Sequence, residues 1–279
     1  PGAHMSIPLD ELPPAAAEAA LRLRRELTRI LGDDLVGLWV DGGTTFPDRP
    51  LVPGDLDVCA VVTNVTPEER DSKRWHDDPE SRPARLLAAQ QMLEAEHGRH
   101  IDAVYLLLEE MGRHERPGTA FDHTQRENRW AIVREHWLAG QYVHLLGHLP
   151  EDVVAPPRGE DTLRDLSREI EHLERHVYEG DAADPYEATF AMWNGSRVLH
   201  TLTTGNAVVS KRSAGDWALD HLPERWHPAL HAAGRSYDGV AAAEDDEILR
   251  VTMPSFVAMI REQLPYATPR PPGYVPRWG

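Results

Sequence analysis

The 279 residues suffice for two ordinary domains, each with its own core, and 46 acidic against 29 basic side chains leave a formal net charge of −17. A field of that sign repels nucleic-acid phosphates and attracts cations, so a nucleic-acid partner is not expected and a small cationic one is. Every apolar run is shorter than a membrane span requires, and no charged n-region leads into an apolar h-region. A cytoplasmic protein without a membrane partner is therefore expected, with a monomer as the default state.

In chain order, residues 1–5 read as the remnant of a cloning tag and are set aside. The stretch PAAAEAALRLRRELTRIL, residues 14–31, has high helix propensity with apolar residues at helical spacing, and Gly32 stops it. Residues 35–62, LVGLWVDGGTTFPDRPLVPGDLDVCAVV, then read as two β-strands. They are broken by Gly42-Gly43-Thr44-Thr45 and a Pro-rich loop. Residues 64–82 are polar and charged and are expected as a long surface loop, followed by a helix over 83–97 that Gly98 ends. Residues 100–108 (HIDAVYLLL) form a third strand candidate, and 113–124, which mix Gly, Pro and His, are expected as a loop at the rim of the site. A helix over 129–138, a short strand over 142–146 and a linker over 150–159 complete this half. Beyond it the strand signals stop. Helices are expected over 162–179, 186–203, 214–222, 225–237 and 241–264, with short loops that suit an antiparallel bundle. The fold class is thus α+β: a small mixed sheet flanked by helices over 6–155, a helical bundle over 156–264, and a Pro-rich tail over 265–279.

The chemistry concentrates in the first half. Side chains alternate along a strand, so Asp55 and Asp57 are expected on one face, about 7 Å apart along the chain. Two neighbouring carboxylates repel unless a cation sits between them. Oxygen-only ligands favour Mg²⁺ or Mn²⁺ over zinc. Asp102, near the start of the third strand, is expected to bring a third acid to the same point. Gly42 and Gly43 allow close approach of a ligand, and exposed N–H groups there with the Thr44 hydroxyl suit a polyphosphate. Together these groups describe metal-assisted nucleotidyl transfer. Cys59 is expected as a small core residue, and Trp193 and Trp217 as helix-core residues rather than substrate platforms.

Gly43-Thr44, ten intervening residues, then Asp55-Leu56-Asp57 resembles the Gly-Ser…Asp-x-Asp signature of the DNA polymerase β-like nucleotidyltransferases, with Thr44 in place of the usual Ser. The second half carries Trp193-Asn194-x-x-Arg197, Thr204-Gly205, Ser210-Lys211, Asp216-Trp217-Ala218-Leu219, Leu222-Pro223 and Arg235-Ser236-Tyr237-Asp238-Gly239. These residues are similar to the C-terminal domain of the streptomycin/spectinomycin adenylyltransferases. The resemblance implies an antibiotic-resistance enzyme that binds ATP and an aminoglycoside-like cation between two domains and transfers AMP to a hydroxyl. It implies two Mg²⁺ ions on Asp55 and Asp57, with Asp102 as the base in place of the family's Glu. It further implies Lys211 and Tyr237 as phosphate contacts, and Glu187 and Asp184 as contacts to the acceptor's amino groups. Two other readings remain open at this point: a nucleotidyltransferase that modifies a macromolecule in the toxin–antitoxin manner, and a catalytically silent nucleotide-binding regulator.

Overall fold

The computed structural model describes residues 6–49, 54–71, 78–122, 124–178 and 185–266. The expected tag remnant and most of the Pro-rich tail lie outside these residues. The chain divides into two compact units, Pro1–Pro47 with Gly54–Pro157 and Asp48–Pro53 with Arg158–Gly279.

Unit 1 is built on a four-stranded mixed sheet. Its strands are β1 (Leu35–Asp41), β2 (Leu56–Val62), β3 (Ile101–Leu107) and β4 (Val143–Gly147), in the order β3-β2-β1-β4. β1 runs antiparallel to both β2 and β4, whereas β2 and β3 are parallel and are joined by a crossover through a helix. That helix, α2 (Arg82–His97), starts at the Ser81 side-chain cap and ends on Gly98 in the left-handed conformation. Helix α1 (Pro14–Leu31) ends at Gly32, where periodicity placed its stop.

Alternation along the strands sorts their side chains onto two faces. Leu38 and Val40 of β1 and Leu56, Val58, Ala60 and Val62 of β2 join the core that α1 and α2 cover. Trp39 of β1 and Cys59 and Val61 of β2 face the other side, where helix α3 (Trp130–Leu138) brings Trp130 and Trp137. Cys59 is a buried free thiol in that second core.

Three segments differ from the sequence expectation. Residues 150–159 are not wholly a linker: Pro150–Val153 forms a helical turn, α4, because Pro at the first position and two acids in the first turn suit a helix start. The 113–124 segment docks on the sheet instead of lying as an aperiodic rim. Thr119 bridges to Leu106, and the Ala120 N–H donates to the Tyr105 carbonyl at 2.7 Å. The described part of the 64–82 segment is tied down by Arg82, which reaches Asp34 at 2.6 Å and Glu69 at 2.5 Å.

Unit 2 contains α5 (Gly159–Tyr178), α6 (Pro185–Thr204), α7 (Lys211–His221), α8 (His227–Tyr237) and α9 (Ala243–Gln263). α6 packs against each of the other four, so it forms the centre of the bundle. Trp193 is buried on α6, and its indole N–H donates to the Ala233 carbonyl of α8 at 3.1 Å. Trp217 is only half-buried, edge-on to His200 and stacked on His221. Asp48, from the segment between β1 and β2, clusters with this unit. It accepts hydrogen bonds from the Ser210 and Ser213 hydroxyls, and its carbonyl accepts from Arg212 Nε at 3.0 Å. A carboxylate at the start of α7 meets the positive end of the helix dipole.

Candidate active site

In unit 1 the strand registers align three acids. Asp41 ends β1 opposite Asp57, and Asp57 pairs with Asp102 across the parallel β2–β3 ladder. Neighbouring strands lie about 4.8 Å apart, so the three residues form a row across one end of the sheet. Each shares strand parity with residues of the second core, Trp39, Cys59 and Leu106 respectively, so all three belong to the face covered by α3.

Asp41 was not anticipated. Its place opposite Asp57 follows only from the register, although the acid that ends an apolar strand directly before Gly42-Gly43 was a visible signal. Trp137 of α3 donates its indole N–H to Asp41 Oδ2 at 2.6 Å. Burial, and then the neighbouring Asp57 charge, push the Asp41 carboxyl up to about 8, against the opposing pull of that hydrogen bond.

β2 begins at Leu56, so Asp55 lies one residue before the strand and is exposed. Among the described residues no three His, Cys, Asp or Glu side chains gather as a ready metal cage. Asp57 and Asp102 are adjacent in register, but Asp55, Asp57 and Asp102 do not close on one point. The donor set is nevertheless all carboxylate, which fits a hard divalent cation that completes its shell with phosphate and water oxygens.

The turn beside the row explains its glycines. Gly42 has φ 67°, and a Cβ there would overlap the Asp57 carboxylate. Gly43 is exposed and a Cβ on it would meet open space, so its backbone is approachable. Thr44 departs from the expectation. It is buried, and its hydroxyl donates to the Asp55 carbonyl at 2.7 Å, so it ties the turn to the β2 entry and is not a free phosphate donor.

In unit 2, Lys211 opens α7 just after the Ser210 cap, whose Oγ accepts the Ser213 N–H at 2.9 Å. Its ammonium lies over the rings of Phe190 and Tyr237. Burial pushes the Tyr237 phenol up to about 12. Thus Lys211 and Tyr237, far apart in sequence, are neighbours. Glu187 is half-buried in the first turn of α6, and Asp184 lies outside the described residues.

A family model described as "Aminoglycoside adenylyltransferase, C-terminal domain" matches residues 157–262. The crystal structure of spectinomycin adenyltransferase AAD(9) from Enterococcus faecialis, solved with ATP and spectinomycin, resembles this chain with a TM-score of 0.64. The likeness covers 88% of this chain and 98% of that one at 15% sequence identity, a similarity of fold. No curated protein matches the sequence. A small mixed sheet followed by a helical bundle is thus the fold this chain shares with that adenyltransferase. Over residues 157–262 the chain is similar to the C-terminal domain of the aminoglycoside adenylyltransferases.

Proposed function

We propose that this protein is an ATP-dependent O-adenylyltransferase that transfers AMP to a hydroxyl of an aminoglycoside-like cation. The observation that carries the reading is the in-register row Asp41, Asp57, Asp102 with Gly42 packed on Asp57. Such a row presents carboxylates beside an approachable turn, which is what a metal-bound triphosphate and a hydroxyl nucleophile require together. The relative solved with ATP and spectinomycin supports the same pair of substrates for this chain.

Asp55 and Asp57 would hold Mg²⁺, as the chemistry of the donor set allows. When bound, the metal neutralises phosphate charge and raises the electrophilicity of the α-phosphorus. Asp102 is the exposed carboxylate of the row and takes the proton of the acceptor hydroxyl. The acceptor oxygen bonds to the α-phosphorus as the bond to the bridging oxygen breaks, and pyrophosphate leaves. The approachable Gly43 backbone, Lys211 and Tyr237 are assigned to the nucleotide phosphates. Glu187 and Asp184 are assigned to the acceptor's ammonium groups, in keeping with the chain's acidic balance.

The test is to combine the protein, Mg²⁺ and each nucleoside triphosphate with a panel of aminoglycosides and spectinomycin, and to follow pyrophosphate release. Release that requires ATP and one or more of these acceptors is the expected result. Release with none of them would overturn the assignment.

A further inference from the structure

The short connection between α2 and β3 that carries Arg99 is fixed on both sides. Gly98, at φ 59°, ends α2, and the Arg99 N–H donates to the Glu94 carbonyl at 3.3 Å. The Glu94 carboxylate accepts the Ile101 N–H at 2.9 Å and meets His100 Nδ1 at 2.7 Å. The His100 carbonyl in turn accepts the Leu56 N–H at 2.9 Å. Arg99 is thereby held at the end of the sheet where β2 and β3 begin, the end that carries Asp55 and the Asp57–Asp102 pair.

Its side chain is left in an unusual state. Arg22 and Arg82 of the same unit are ion-paired, with Glu96 and with Asp34 and Glu69. Arg99 is half-buried, its Nη1 is enclosed, and among the described residues that nitrogen has no hydrogen-bond partner. Burial pulls the guanidinium below the usual arginine range, and the charge of Asp55 acts in the opposite direction. A buried charged donor without an acceptor is costly, and it calls for an acceptor that the chain itself does not supply. The site asks for a cation at this point. A triphosphate is strongly anionic, the side chains aligned here are carboxylates, and the Thr44 hydroxyl is engaged by the Asp55 carbonyl. A guanidinium presents a rigid fork of N–H donors that matches phosphate oxygens.

We propose that Arg99 is a phosphate-binding residue of the candidate site: its guanidinium donates to oxygens of the β- and γ-phosphates and offsets the charge of the departing pyrophosphate. This inference rests on the nucleotidyltransferase reading of the same site. A cation fixed in advance where charge develops costs no reorganisation during the reaction.

The test uses the full chain with Arg99→Gln and Arg99→Lys, and measures two affinities: Mg-ATP by calorimetry, and Mn²⁺ alone by electron paramagnetic resonance. Arg99→Gln is expected to weaken Mg-ATP by about 10- to 100-fold, the range for losing a charge-assisted hydrogen bond. Arg99→Lys keeps the charge without the fork and should weaken it less. Mn²⁺ should bind Arg99→Gln no more weakly than wild type, because removing a cation beside Asp55 does not disfavour a metal there. Opposite or unequal effects on the two probes separate phosphate binding from a merely structural role. Mg-ATP affinity within about twofold of wild type in Arg99→Gln would overturn the proposal. So would Mn²⁺ and Mg-ATP affinities falling by the same factor, since Arg99 would then act by holding Asp55 in place. If Arg99→Gln does not fold, Arg99→Lys carries the test, and an affinity equal to wild type overturns the proposal. Wild-type protein that binds no Mg-ATP would defeat the nucleotidyltransferase reading itself, whereas wild-type binding with unchanged variants defeats the role of Arg99 alone.

Discussion

Trp137 and Asp41 are joined by a 2.6 Å hydrogen bond from the indole N–H to the carboxyl, and this bond anchors α3 to the end of β1 where the acidic row begins. It is set against two effects that favour the neutral acid, burial and the charge of Asp57, and these win. At neutral pH the folded chain therefore holds a proton at Asp41 that the unfolded chain does not.

The sign of the resulting pH dependence follows. An unfolded Asp titrates near 3.9, whereas folded Asp41 titrates at about 8. Between those values the native chain binds more protons than the unfolded one, so Asp41 makes stability fall as pH rises through that window and adds no slope above it. Asp41→Asn keeps an acceptor for Trp137 and removes the titration. Melting temperatures of the nucleotide-free chain from pH 5 to 9 should show the variant gaining on wild type as pH increases. Parallel curves would mean that Asp41 titrates as an ordinary carboxylate.

Asp57 is the middle member of the row, and its charge is the second cause of the Asp41 shift. Asp57→Asn is expected to reduce turnover by about 10²–10³-fold, the scale on which removal of one transition-state charge contact acts, with the fold intact. The same variant should move the Asp41 titration downward, because one of its causes is gone. Turnover within tenfold of wild type would remove Asp57 from the metal assignment. A circular dichroism melt confirms that the loss is not unfolding.

Asp102 is exposed at the start of β3, as a base that meets an incoming hydroxyl should be. Asp102→Asn is expected to lower kcat by about 10²–10⁴-fold, the usual contribution of a positioned base, while the Kd of Mg-ATP changes little. Rapid-quench measurement of AMP transfer alongside equilibrium nucleotide binding separates the two. A collapse of nucleotide affinity would instead make Asp102 chiefly a metal ligand.

The elements of this fold were legible from the chain because local signals agreed with the tertiary structure. Gly32 and Gly98 end α1 and α2 where they should, and the strand signals stop after residues 150–159, beyond which the described elements are helical. Register was not legible. Periodicity says which face of a strand a side chain occupies, but not which residue of the next strand it opposes, and so the alignment of Asp41 with Asp57 and Asp102 was not anticipated. The Thr44 hydroxyl was misjudged because its partner, the Asp55 carbonyl, is a backbone group that no side-chain motif reveals. The pairing of Asp48 with Ser210 and Ser213 links positions more than 160 residues apart, and no local pattern could have shown it.

The two glycines of the turn offer a final test, because they are neighbours in sequence with opposite surroundings. Gly42 sits at φ 67°, where an L side chain costs about 1–2 kcal/mol, and its Cβ would also displace the Asp57 carboxylate from the row. Gly43 is not among the described residues with positive φ, and a Cβ there meets nothing within 4 Å. Gly42→Ala should therefore lower both the melting temperature and kcat, the second because Asp57 moves. Gly43→Ala should leave stability within about 0.5 kcal/mol of wild type, as for a surface substitution without contacts. Its effect should appear in KM for ATP, since a methyl group would stand where the triphosphate approaches the backbone. Thermal melts paired with steady-state kinetics on both variants decide the matter. A Gly43→Ala enzyme with unchanged KM for ATP would show that the nucleotide does not approach the turn at Gly43, and the phosphate assignment of that residue would be lost even if Gly42→Ala behaved as expected.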